Sequence, residues 1–172
     1  PEKPLRHSLN SAGIERFPQY QYDMVRLGIG IYGISSVDQS KVVPSAYFRC
    51  PIIQIKELKA EDGTVGYGRR GKLGPGIKKI ATICVGYADG VNRRLGKGKA
   101  SFEVNGQMAP TIGNICMDMC MLDVTGIDAK MGDTVTIFGK KPSALDLAKN
   151  LNTIPYEIFT SIGKRVKRVI VD

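Results

Sequence analysis

The chain has no tryptophan, a single histidine (His7) and only four cysteines in 172 residues. With no tryptophan and aromatics at only 7%, it lacks the stacking platform that single-stranded nucleic-acid binders use. Among Cys50, Cys84, Cys116 and Cys120 only the last two are close, at a C-x3-C spacing that fits neither a zinc knuckle nor a thioredoxin motif. His7 is too far away in sequence to complete a metal set with them. They read as four reduced, mostly buried thiols of a cytoplasmic protein. No run of about 18 apolar residues occurs, so no membrane span is expected. Pro1 to Ser8 has no apolar core and is no signal peptide. Repeats and low-complexity tracts are absent. So is an initiator methionine, and the chain is expected to be cut from a longer protein.

What is present is ordinary for a globular protein: 42% hydrophobic and 24% charged residues. A chain of this length holds one domain or one and a fraction. It buries roughly 70% of its unfolded surface and needs no staples. The net charge of +9 raises the question of a polyanionic partner. The basic residues are spread over loops (Arg69, Arg70, Lys72, Arg93, Arg94, Lys97) and the tail (Lys164, Arg165, Lys167, Arg168). They read as a solvated surface whose acidic balance lies elsewhere, and nucleic acid is not expected.

The stretch from Thr64 to Gly90 organises the chain. Two Gly-Tyr pairs, Gly66-Tyr67 and Gly86-Tyr87, close two β-like runs on either side of a basic glycine-rich loop. Glycine lets the backbone turn sharply or approach a ligand, and each phenol then projects from a strand end, where binding residues often sit. Seven short β-rich segments are expected: Tyr47 to Lys59, Thr64 to Gly68, Lys79 to Gly86, Ser101 to Val104, Met108 to Ile112, Met117 to Val124 and Thr134 to Phe138. Ala60-Glu61-Asp62-Gly63, Asn105-Gly106 and Gly132-Asp133 supply turns. This spacing predicts a small antiparallel barrel. Ser143 caps a helix over Ala144 to Asn150 with Leu145, Leu147 and Ala148 on its apolar side. Pro155 sits in the first turn of a second short helix. Val166 to Val171 alternates like an outer strand. Residues 1 to about 35 differ, being polar first and glycine-rich later, and Ser35 to Pro44 reads as a linker.

Two motifs are decoys. Gly28-x-Gly30-x-x-Gly33 matches a dinucleotide fingerprint, yet no helix pattern and no βαβ unit follows. Unhindered amides near Gly28 and Ile29 could still cradle a phosphate. Gly66-x4-Gly71-Lys72 resembles a Walker A loop, but Leu73 stands where the Mg²⁺-binding hydroxyl belongs, and Gly74-Pro75-Gly76 blocks the helix.

Six motifs in order resemble the C-terminal part of the alanine racemase family. They are Asn10-Ser11-Ala12-Gly13, Val25-Arg26-x-Gly28-Ile29 to Tyr32-Gly33, Val65-Gly66-Tyr67-Gly68, Gly86-Tyr87-Ala88-Asp89-Gly90, Gly113-x-Ile115-Cys116-Met117-Asp118 and Ile154-x-Tyr156-Glu157. The resemblance implies a fold that is mainly β. Residues 1–38 would be the last segments of an α/β (TIM-type) barrel that binds pyridoxal 5'-phosphate. Residues 39–172 would be the C-terminal β domain, a small antiparallel barrel with one or two short helices. It also implies a homodimer acting on the small molecule alanine, with D-alanine supplied to peptidoglycan of the cell wall.

The family's chemistry removes a proton from one face of Cα and returns it on the other, with a lysine and a tyrosine as the two bases. Tyr67 matches the tyrosine. A free phenol, with pKa about 10, needs nearby positive charge or donors to serve as a base. Arg26 matches the arginine facing the pyridine nitrogen; a guanidinium cannot give up a proton, so that nitrogen stays unprotonated. The bland alternative for Arg26 is a surface ion pair. Ser11, the backbone of Gly28 and Ile29, and Tyr156 match the phosphate-holding group, and Asn10 a nearby polar residue. Tyr87, Met117 and Asp118 match the substrate side and entryway given to the partner subunit, with the Met117 N–H receiving the carboxylate. Asp89 and His7 read as structural.

One departure bears on activity. The family's cofactor lysine sits in a Lys-Ala-Asn-Ala-Tyr-Gly-like motif that this chain lacks. The resemblance therefore implies a fragment that is inactive alone. A basic β barrel that binds RNA or a protein without catalysis is the competing class. It predicts salt-sensitive binding and no role for Tyr67.

Overall fold

The longest apolar–polar alternation becomes the longest strand. In the computed structural model, which describes residues 3–171, β1 (Phe48–Leu58) turns Phe48, Cys50 and Ile52 inward and Arg49, Pro51 and Ile53 outward. The chain divides into two units after Ala46. In the second, β1 is joined by β2 (Thr64–Val65), β3 (Gly71–Lys72), β4 (Lys78–Ile83), β5 (Ser101–Val104), β6 (Gln107–Ile112), β7 (Cys120–Asp123) and β8 (Thr134–Phe138). Six of these close an antiparallel barrel in the order β1-β4-β7-β6-β5-β8, while β2 and β3 form a separate two-stranded sheet.

Closure depends on β1 serving two neighbours. Its first residues pair with β8 (Cys50 with Val135, Pro51 with Thr134), and from Ile52 onward it pairs with β4 across a bulge. Pro51, which has no N–H to give a ladder, stands at the handover. Inside the barrel Ile52, Ala81, Ile83, Phe102, Val104, Ala109, Leu122 and Val135 are all but fully buried. Each large side chain there contributes roughly 1.5–3 kcal/mol. The β5–β6 hairpin turns on Asn105 (φ 49) and Gly106 (φ 79), the type I′ geometry that matches strand twist.

α2 (Ala144–Leu151) is one residue longer than expected. Its buried face is Ala144, Leu147, Ala148 and Leu151, with Leu145 only half-buried. That is the i, i+3, i+4, i+7 stripe of a docked helix. Ser143 and Asp146 cap each other's amides at 3.1 and 2.9 Å. α3 (Pro155–Thr160) starts on its proline and presents Phe159 edge-on to Phe138 at 5.4 Å.

Several elements differ from expectation. Residues 166–171 form no strand; Arg168 instead donates to the carbonyls of Ile162, Gly163 and Val166. Only Thr64–Val65 of Thr64 to Gly68 pairs, and Tyr67–Arg69 is a 3₁₀ turn. Gly86 lies beyond β4, and Met117 to Met119 precede β7.

In the first unit, α1 (Ser11–Arg16) is followed by short 3₁₀ turns. The strand-like start of the Tyr22 to Gly33 segment yields only a parallel bridge between His7 and Met24. The expected linker is pinned at its head, where buried Ser35 donates to Glu15 at 2.8 Å.

Candidate functional site

In the second unit, Tyr67, Tyr87, Met117 and Asp118 line one pocket of about 420 Å³, together with Arg93, Asn114, Ile115, Cys116 and Met119. The two Gly-Tyr pairs reach it by different means. Gly66 takes φ 74, open to glycine but strained for an L side chain, and Tyr67 then enters its 3₁₀ turn 76% exposed. Buried Asn114 donates its Nδ2 to the Tyr67 carbonyl at 2.9 Å and holds that turn from below. Gly86 has an extended backbone. Its need is space: a Cβ there would lie 2.2 Å from the Cys116 carbonyl oxygen and 2.3 Å from that of Met117.

That close approach lets two loops pair. Tyr87 and Ala88 donate their amides to the carbonyls of Cys116 and Met117, each at 3.0 Å, and within the second loop Cys116 donates to the Met119 carbonyl at 2.9 Å. The Met117 N–H makes no hydrogen bond among the described residues. Met117 lines the pocket, and an amide donor left without a partner suits a carboxylate.

Asp89 is buried under the first loop. Its Oδ2 accepts the Gly86 amide at 2.9 Å. Arg165 donates Nε to Asp89 Oδ1 at 2.7 Å and Nη2 to Asp118 Oδ1 at 2.6 Å. Burial pushes the Asp89 carboxyl up, but Arg165 and the Gly86 amide together hold it below the usual carboxylate range. Asp89 is thus structural, as read. Sequence reasoning missed Arg165 and Asn114 as parts of this site, and it placed Arg93 and Arg165 only among surface charges. Tyr156, in the first turn of α3, is not among the pocket's lining residues.

The first unit holds Asn10, Ser11, Arg26, Gly28 and Ile29. Asn10 caps α1 through Oδ1, accepting from Gly13 at 3.0 Å, which leaves its amide NH₂ to another partner. Buried Ser11 accepts from the amides of Gly28 at 3.0 Å and Gly30 at 3.2 Å. A Cβ on Gly28 would meet Ser11 Oγ at 3.9 Å, an ordinary contact, so space alone does not require glycine there. The Gly28 and Gly30 amides are thus taken by Ser11, whose own hydroxyl proton donates to nothing among the described residues; that neutral donor fits a phosphate.

Arg26 donates Nη1 to His7 Nδ1 at 2.7 Å and Nη2 to the Ser8 carbonyl at 2.9 Å. No carboxylate pairs with it among the described residues. The surface ion pair held against it is absent there, and since a guanidinium only donates, His7 is the acceptor. A pyridine-type nitrogen is the same kind of partner, so Arg26 fits such a ring. Among the described residues no cluster of His, Cys, Asp or Glu could hold a metal, and no helix is long and apolar enough to cross a membrane.

Comparison with known proteins gives one answer. The family model described as alanine racemase, C-terminal domain, matches residues 46–170, and that described as alanine racemase, N-terminal domain, matches residues 1–36. An alanine racemase of Desulfosudis oleivorans is 42% identical over 175 residues, covering 96% of this chain and 44% of that protein. The solved structure of an alanine racemase of Clostridium difficile 630 in complex with cycloserine is 34% identical, with a TM-score of 0.85, over 93% of this chain and 44% of that one. The alanine racemase of D-cycloserine-producing Streptomyces lavendulae matches at 31% identity and a TM-score of 0.87, over 98% and 46%. The chain spans less than half the length of these relatives.

Proposed function

The chain belongs to the alanine racemase family, and from that premise we propose that it is the C-terminal part of a cytoplasmic, pyridoxal-phosphate-dependent racemase that interconverts L- and D-alanine as a homodimer. The observation that carries the reading is the pocket shared by Tyr67, Tyr87, Met117 and Asp118. These residues stand in three separate stretches of sequence, and a noncatalytic barrel has no need to gather them.

The cofactor, when bound, draws off the electron pair left at Cα. This chain's residues do the rest. Tyr67 exchanges a proton with Cα on one face, in a pocket that Arg93 also lines. The Met117 N–H holds the substrate carboxylate, and Tyr87 and Asp118 bound the approach. The Ser11 hydroxyl with the Ile29 amide would hold the phosphate, the Gly28 amide being bonded to Ser11. Arg26, oriented by His7 and the Ser8 carbonyl, would face the ring nitrogen, and Asn10 adds an amide donor nearby. The lysine base has no counterpart here, so the isolated chain racemises nothing. D-alanine for peptidoglycan is the product this reading assigns.

The test is Tyr67→Phe in the complete enzyme carrying this segment. Loss of a positioned base lowers kcat by about 10²–10⁴, read by polarimetry or a coupled D-amino-acid oxidase assay. A wild-type rate in that variant overturns the reading.

A further inference from the structure

One side chain from the C-terminal segment ties together both loops of the pocket. Arg165 grips Asp89 with two hydrogen bonds, Nε to Oδ1 at 2.7 Å and Nη2 to Oδ2 at 3.0 Å, and the same Nη2 reaches Asp118 Oδ1 at 2.6 Å. Through Asp89 it acts on the Gly86-Tyr87 loop, because Asp89 Oδ2 also accepts the Gly86 amide. Through Asp118 it acts directly on the loop that carries the Met117 N–H. Main-chain bonds from Tyr87 to Cys116 and from Ala88 to Met117 already pair these loops. Two main-chain bonds across exposed loops open readily unless something outside holds them. A planar guanidinium has the geometry to bridge two carboxylates; an ammonium is a single point charge.

We propose that Arg165 is a positioning residue for the substrate pocket, clamping Asp89 and Asp118 so that the loop carrying the Met117 amide is fixed against the Gly86-Tyr87 loop where that amide meets the carboxylate of an amino-acid substrate. The inference rests on the pocket being the substrate side of a racemase. Arg165 is not among the residues lining the pocket, so its effect passes through its two partners. The group it positions binds a part of the substrate that does not react, so its loss weakens ground state and transition state alike. That raises KM and spares kcat.

The experiment uses the complete enzyme carrying this segment, as wild type, Arg165→Ala and Arg165→Lys. Kinetics with alanine and hydrogen–deuterium exchange are measured on the same preparations. In Arg165→Ala, KM is expected to rise about tenfold or more, as a lost charge-assisted contact does, while kcat stays within about threefold. Exchange at Tyr87 and Ala88 should accelerate by a larger factor than exchange in β4 and β7. Arg165→Lys keeps the charge without the fork and should recover thermal stability but leave KM raised. An unchanged KM overturns the clamp. So does exchange accelerated evenly over the whole barrel, which marks a residue of general stability, and so does full recovery of KM by lysine. A racemase indifferent to Arg165 sinks this inference alone; a wild-type enzyme that does not racemise alanine sinks the function and this inference together.

Discussion

At the scale of single residues, the glycines before the two pocket tyrosines are not interchangeable in purpose. Gly66 is held by its dihedral and Gly86 by the carbonyls that crowd it. Replacing Gly86 by alanine drives a methyl into main-chain atoms of the 116–117 loop, and neither backbone can retreat without losing the Tyr87 and Ala88 hydrogen bonds. The expected cost is about 1–3 kcal/mol, together with faster exchange of the Ala88 amide; an alanine variant that melts with wild type and keeps that amide protected refutes the account. Both pairs were legible in sequence as points of a sharp turn or a close approach. Arg165 was not. Its partner Asp89 is 76 positions away, and nothing in a basic tail says which of its charges turns inward. The cysteines were legible as free and mostly buried thiols: Cys50, Cys116 and Cys120 are buried and Cys84 is exposed. Burial, with Cys84 and Asp89 nearby, pushes the Cys50 thiol up to about 12, which suits a packing residue.

At the scale of elements, local chemistry was readable where it is self-contained. Asn105-Gly106 names its own turn, and Ser143 with Asp146 names its own cap. Ser143→Ala removes the hydroxyl that receives the Asp146 amide and should cost about 1 kcal/mol. Urea denaturation measures it; an unchanged midpoint would mean that packing of Leu147 and Leu151 alone holds α2. The tail failed as a strand for a reason no local pattern contains. Residues 166–171 alternate as a strand does, but a strand needs an unpaired edge, and a barrel closed through β1 and β8 has none to offer. The helix face was misjudged by one position because Leu145 reads as core by type, while the docked stripe is set by spacing from Ala144.

At the scale of the molecule, the net charge of +9 sets the conditions under which these devices hold. Asp89 and Asp146 both sit below the usual carboxylate range: burial pushes each up, but Arg165 with the Gly86 amide, and Ser143 through its amide and hydroxyl, pull them down further. Exposed Asp23 and half-buried Asp133 are lowered too, by Arg6 and by Asn105. A carboxyl whose folded pKa is depressed stabilises the fold fully above its unfolded value, about 3.9, and loses that contribution as pH falls through the folded pKa. Neutralising the 16 acidic side chains also leaves 25 lysines and arginines unopposed, and their repulsion favours the expanded chain. The melting temperature should therefore be flat near neutrality and fall steeply below about pH 4, with added salt recovering part of the loss by screening. Arg165→Ala weakens the pull on Asp89. That variant should begin lower at neutral pH and show a shallower acid limb than wild type, so the two curves converge as Asp89 protonates. Parallel curves would mean that Arg165 contributes nothing through Asp89, and a wild-type melting temperature unchanged between neutral and acid pH would mean that these carboxylates do not hold the fold.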